Sequence, residues 1–173
     1  MDDFWTRCSI WLALLAYAGW QWWLPYHGDP AENDRAHRSR QFATLGLFAY
    51  LVHVGLAFDQ HHDWSHLQAL LHTAQRTEEV TGLSSGVGIY VNYAFSLLWL
   101  IEVTFWWAVG HQRYLGRHSW WQHSVMLIFL FMIVNGAIVF AAGPARWIGC
   151  AVVVVTLRGA WARAKRRGGT GSG

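Results

Sequence analysis

Residues 124–142 read SVMLIFLFMIVNGAIVFAA and contain no charged side chain. A helix rises about 1.5 Å per residue, so this stretch is about long enough to cross the ~30 Å hydrocarbon core of a bilayer. The chain holds four more apolar stretches, at residues 4–24, 42–58, 88–109 and 146–161. The second and fifth stretches in chain order are short for a span. The pattern predicts an all-α, polytopic membrane bundle with five transmembrane helices.

The composition of the 173-residue chain agrees with this fold class. Hydrophobic residues make up 54% and charged residues only 13%, whereas a soluble domain is about 25% charged. Thirteen tryptophans suit a protein with two lipid–water interfaces. We expect one transmembrane helical domain over residues 1–167, followed by a glycine-rich, flexible tail at residues 168–173.

Basic residues predict the orientation, because cytoplasmic loops of membrane proteins are enriched in lysine and arginine. With the carboxyl terminus inside, nine basic residues lie on the inner side and three on the outer side. The nine are Arg35, Arg38, Arg40, Arg113, Arg117, Arg163, Lys165, Arg166 and Arg167, and the three are Arg7, Arg76 and Arg146. We therefore expect a bacterial inner-membrane protein with an outside amino terminus and a cytoplasmic carboxyl terminus. Its partners are then the lipid bilayer or other membrane subunits; no nucleic-acid-binding motif is present.

The long connection between the second and third spans carries its own helical signal. Ser65 and Gln68 have the spacing of a capping box, and Gly82 follows as a stop. The apolar residues between them recur at helical spacing and are Leu67, Leu70, Leu71 and Ala74. This pattern predicts an amphipathic helix over residues 65–80, lying on the outer membrane surface.

A cluster of histidines and aspartates occurs where the second span ends, in the sequence DQHHDWSH at residues 59–66. His62 and His66 are four residues apart, so both imidazoles face the same way if one helix carries them. Two imidazoles and a carboxylate suit zinc, copper or iron. We call the predicted ligand set the outer His/Asp cluster. Its members are Asp59, His61, His62, Asp63, His66 and His72.

Four further polar residues lie inside the predicted spans. His53, Asn92 and Asn135 fall at similar depth, and unpaired polar groups are costly in hydrocarbon, so we expect them to hydrogen-bond to one another. Glu102 is the only acidic residue well inside a span, and its carboxylate needs a proton, a partner or water. Direct pairing with His53 would be strained; Arg158 or an inner-loop histidine is the alternative partner.

Function is predicted from these groups. A transmembrane b-type haem is disfavoured, because only His53 lies within a span and bis-histidine ligation needs two rings at matching depth. The outer His/Asp cluster instead predicts an outward-facing site for a divalent transition metal, and the protein would then act in metal handling or in metal-dependent chemistry. Two alternatives stay open. One is a non-catalytic accessory subunit of a larger membrane complex, and the other is a small proton-coupled transporter using His53 and Glu102.

Overall fold

The computed structural model describes residues 3–25, 31–61, 64–140 and 143–168, and all regular secondary structure among them is helical. Six α-helices follow one another along the chain, and the fifth continues directly into a π-helical segment. They are α1 (Asp3–Trp23), α2 (Glu32–His61), α3 (His66–Thr81), α4 (Gly88–Leu115), α5 (Ser119–Ile133), the π-segment (Val134–Val139) and α6 (Pro144–Gly168). The predicted all-α bundle is confirmed.

Four stretches of helix are long and apolar enough to cross a membrane, namely Glu32–Gln60, Gly88–Leu115, Ser119–Val139 and Arg146–Lys165. No more than 28% of the apolar window of each is buried inside the protein, which leaves most of its surface for lipid. Helix α1 is not among the four. Several tryptophans, together with Arg7 and Gln21, lower its mean hydropathy.

Helix α1 nevertheless runs antiparallel along α2 through the depth of the bundle. Near one end the Ser39 hydroxyl donates to the Trp20 carbonyl at 2.9 Å. Near the other end the Thr6 hydroxyl donates to Gln60. A helix with such contacts at both ends covers the same depth as its neighbour, as a fifth span would.

The core of the bundle is aromatic. The ring of Phe129 on α5 stacks on Tyr17 with centroids 4.9 Å apart and meets the rings of Phe95 and Trp99 at 4.8 and 4.9 Å. Because α1, α4 and α5 each contribute a ring, these contacts fix three helices against one another. Aromatic pairs of this kind add about 0.5–1.5 kcal/mol each beyond their burial.

Helix α3 is the predicted amphipathic surface helix, and its observed ends match the prediction within a residue. Ser65 accepts a hydrogen bond from the Gln68 amide at 3.3 Å, as an N-cap does. Gly82 ends the helix with φ 75°, which favours glycine. Ala69 is fully buried, whereas Leu67 and Leu71 are exposed and suit contact with lipid.

The π-segment has a local cause in the sequence. The side-chain amide of Asn135 donates to the Phe131 carbonyl at 2.8 Å, the acceptor that its own backbone amide would use in an α-helix. The helix widens after this point, and the Phe140 amide bonds to the Asn135 carbonyl five residues back. The predicted fourth span is therefore a helix that changes type in its second half.

Candidate functional site

The outer His/Asp cluster begins at a sharp turn after α2. The Trp64 amide bonds to the Phe58 carbonyl at 3.2 Å, and Trp64 has φ 55°, a left-handed conformation uncommon for tryptophan. The Trp64 indole donates to the Asp59 carboxylate at 3.1 Å. His62 and Asp63, with the side chain of His61, lie outside the described residues.

His66, the next member of the cluster, is held by two tyrosines of α4. Its Nδ1 lies 3.0 Å from the Tyr93 hydroxyl and its Nε2 lies 3.4 Å from the Tyr90 hydroxyl. Within the described ranges, no three His, Cys, Asp or Glu side chains come together as a metal site would require. Because His62 and Asp63 fall outside those ranges, the metal site stays a prediction.

The predicted polar layer of His53, Asn92 and Asn135 has different hydrogen bonds from those expected. His53 bonds through Nδ1 to the Thr6 carbonyl of α1 at 2.9 Å. Asn135 finds its partner within its own helix, at Phe131, which corrects the prediction that it bonds across helices. His53 and Asn92 nevertheless lie in the wall of the same cavity, which is described next.

A cavity of about 380 Å³ lies in the half of the bundle nearer α3; we call it the outer cavity, after the orientation expected from the basic residues. All of α1 to α5 and the π-segment contribute to its wall. Its apolar lining includes Phe129, Phe95 and Trp99, the same rings that form the core. His72 and Thr73 of α3 belong to its wall, so the surface helix forms part of the enclosure.

The side chains with polar groups that line the outer cavity come from α1, α2, α3 and α4. The Ser96 hydroxyl donates to the Asn92 carbonyl at 2.8 Å and lies 3.3 Å from the Tyr50 hydroxyl, from which it can accept. A carbonyl can only accept, so His53 Nδ1 carries the hydrogen in its bond to Thr6. Asn92 and Tyr93 add an amide and a phenol to the wall. An apolar cavity with a few polar groups is typical of small-molecule sites.

Glu102 lies in a second site, in the second half of α4, where it is 2% exposed. Nη1 of Arg117 lies 2.7 and 2.8 Å from its two carboxylate oxygens, the Tyr114 hydroxyl donates at 2.8 Å, and the Trp121 indole donates at 3.0 Å. We call these four residues the Glu102 cluster. Of the three expected possibilities, a proton, a partner or water, the structure shows a partner, and that partner is Arg117 rather than His53, Arg158 or an inner-loop histidine.

A break in α4 at Gly110 makes the Glu102 cluster. In a straight helix Tyr114 would lie about 18 Å along the axis from Glu102. Gly110 has φ 77° and ψ 176°, a conformation essentially restricted to glycine, and the chain folds back after it. Tyr114 then stacks on Trp106 with centroids 3.9 Å apart and planes 1° from parallel. The Arg117 guanidinium lies 3.7 Å from the centroid of the Tyr114 ring.

Comparison with protein families, curated proteins and solved structures finds no match to this chain. The two sites therefore rest on their own geometry. The outer cavity is open and mainly apolar, with a few polar groups. The Glu102 cluster has its carboxylate fully engaged with side chains of the same protein.

Proposed function

We propose that this protein resides in a bacterial inner membrane and binds a small, largely apolar ligand in the outer cavity. The cavity itself is the main support for this proposal, because its volume of about 380 Å³ falls in the range of small-molecule sites. The nine-to-three distribution of basic residues supports an orientation in which the cavity opens toward the outer leaflet. A ligand dissolved in that leaflet would reach it without crossing the membrane.

The lining defines the chemical class of this ligand. Phe95, Trp99 and Phe129 line the cavity, and aromatic rings suit contact with a flat apolar body. Asn92 lines the cavity and offers an amide, which suits one hydroxyl or carbonyl group on the ligand. We therefore propose a molecule of one or two rings carrying such a group.

Binding of 1-naphthol tests the proposal, with the protein in lipid nanodiscs and empty nanodiscs as the background. Ala57 lines the cavity, so Ala57→Phe should fill part of it and lower naphthol binding at least tenfold. Ala94→Phe is the matched control, because Ala94 is an exposed residue of α4 outside the cavity wall. Equal saturable binding by the two variants, or none above empty nanodiscs in the wild type, would refute the proposal.

A metal site at the outer His/Asp cluster is the second candidate, supported by the turn at Trp64. This turn returns the chain over Phe58 and brings Asp59 close to the start of α3. Zinc, copper(II) and iron(II) all suit imidazole and carboxylate ligands. Their binding should weaken below about pH 6.5, the ordinary pKa of histidine, because a protonated ring cannot coordinate.

Titration of the tag-free protein with zinc and copper(II) tests this site. The double variant His62→Ala with His66→Ala should lose the bound ion. His111→Ala with His118→Ala, at the inner end, should retain it. Equal stoichiometry in both double variants would show that the outer His/Asp cluster does not hold the metal.

The two remaining alternatives differ in what supports them. Exposed aromatic surface such as Trp5, Trp22 and Trp147 suits either lipid or a neighbouring subunit, so an accessory role predicts stoichiometric partners after purification in mild detergent. A proton-coupled transporter needs a carboxylate that releases its partners, whereas Glu102 is held by three side chains. We favour a structural role for Glu102.

A further inference from the structure

We propose that the inner end of the bundle binds the headgroup of an anionic phospholipid between α2 and the folded-back end of α4. The site consists of His37, Arg40, Trp107 and His111, which we call the inner basic cluster. The rings of His37 and His111 have centroids 6.3 Å apart. The Arg40 guanidinium lies 3.7 Å from the centroid of the Trp107 ring.

Hydrogen bonds hold two rings at this site in fixed positions. The Trp107 indole donates to the Thr44 hydroxyl at 3.0 Å, which fixes the surface over which Arg40 lies. The Trp106 indole donates to Nδ1 of His111 at 3.1 Å. An indole N–H can only donate, so the neutral His111 ring carries its own hydrogen on Nε2. His111 therefore presents a hydrogen-bond donor to a ligand.

The charges around the cluster favour an anion. Arg40 and His37 are close enough to act electrostatically on His111. Nε of Arg40 is buried, and among the described residues it has no hydrogen-bond partner. The acidic residues of α2 nearest in sequence, Glu32 and Asp34, lie in its first turn, before the cluster. A phosphodiester supplies both a negative charge and acceptor oxygens for these donors.

A lipid is the occupant that the surroundings favour, rather than a soluble anion. Trp107 is 51% exposed, and Phe48 and Phe105 are exposed on the same two helices. In the proposed orientation Phe48 and Phe105 lie toward the membrane interior from the cluster, where acyl chains would pass. Basic pockets between transmembrane helices on the cytoplasmic side bind anionic headgroups in this manner. This inference uses the orientation of the proposed function but not its ligand.

Native mass spectrometry of the full-length protein in detergent, titrated with phosphatidylglycerol or phosphatidylcholine, tests the inference. We expect the wild type to bind phosphatidylglycerol more tightly than phosphatidylcholine. Arg40→Gln should weaken phosphatidylglycerol binding about fivefold, since it removes one basic residue at the headgroup. Arg113→Gln is the matched control, because Arg113 is exposed at the same end but outside the cluster. A fall of equal size in both variants, or in neither, would overturn the inference.

Two further arms keep the result interpretable. The double variant His37→Gln with His111→Gln keeps every arginine and should still weaken phosphatidylglycerol binding, which separates specific donors from net charge. Unchanged phosphatidylglycerol binding by this double variant would mean that net positive charge alone attracts the lipid, and it would overturn the proposed site. Glycerol 3-phosphate should not displace the lipid at equimolar concentration; displacement would assign the cluster to a soluble phosphate. Retained binding of phosphatidylcholine in each variant shows that it is folded.

Discussion

Replacing Arg117 by methionine isolates the energetics of the Glu102 cluster. The arginine side chain is 13% exposed and the glutamate side chain 2%, so the change leaves a buried carboxylate without its cationic partner. Removing one member of a buried ion pair costs about 3–5 kcal/mol. Tyr114 and Trp121 still donate to the carboxylate after the change, so we expect a loss near the lower end, about 3 kcal/mol.

The assay is equilibrium unfolding in mixed micelles with increasing dodecyl sulfate, followed by circular dichroism. Arg113→Met is the matched control. It removes an exposed arginine near the same end of α4 and should change the unfolding free energy by less than about 0.5 kcal/mol. The double variant Glu102→Gln with Arg117→Met removes both charges. It should be destabilised by clearly less than the sum of the two single variants, with a coupling of about 1–3 kcal/mol.

Two results would refute this reasoning. A loss below about 1 kcal/mol in Arg117→Met would mean that the carboxylate is hydrated or released once the arginine is gone. Strict additivity in the double variant would mean that Arg117 contributes through its stacking on Tyr114 rather than through the charge of Glu102. Such stacking is worth about 0.5–1 kcal/mol at exposed sites and about 2 kcal/mol or more where it is desolvated, so the double variant, rather than the size of the loss, separates the two contributions.

Three other outcomes are expected from the fold. Gly110→Ala should destabilise the protein by about 1–3 kcal/mol because of its positive φ, whereas Gly55→Ala, with open space at its Cβ, should be neutral or slightly stabilising in the same unfolding assay. Reporter fusions at Gly168 and in the connection at residues 64–87 should report opposite compartments, and the same compartment would contradict the orientation. Ser65→Ala should cost about 1 kcal/mol and speed hydrogen exchange in the first turn of α3 only; unchanged exchange would contradict the capping role.

The parts of the fold that could be predicted from the sequence depend on local patterns. Apolar length predicts the long helices, and the spacing of Ser65 and Gln68 predicts the start of α3, because each signal acts within a few residues of where it occurs. Helix α2 begins at Glu32, ten residues before the predicted apolar stretch. The polar first turns of such a helix carry no hydropathy signal, so the pattern located its apolar part and missed its polar amino-terminal extension.

The Glu102 cluster could be predicted only in part, for a reason that lies in Gly110. The sequence shows a buried carboxylate that needs a partner, and it shows a glycine near the end of the same apolar stretch. It does not show that this glycine adopts φ 77° and turns the chain back, because glycine is also tolerated in ordinary membrane helices. The reversal brings Tyr114 and Arg117 to a residue 12 and 15 positions earlier. A buried acid followed by glycine, tyrosine and arginine is thus compatible with a folded-back helix end, in which the acid and the arginine stabilise the break that glycine allows.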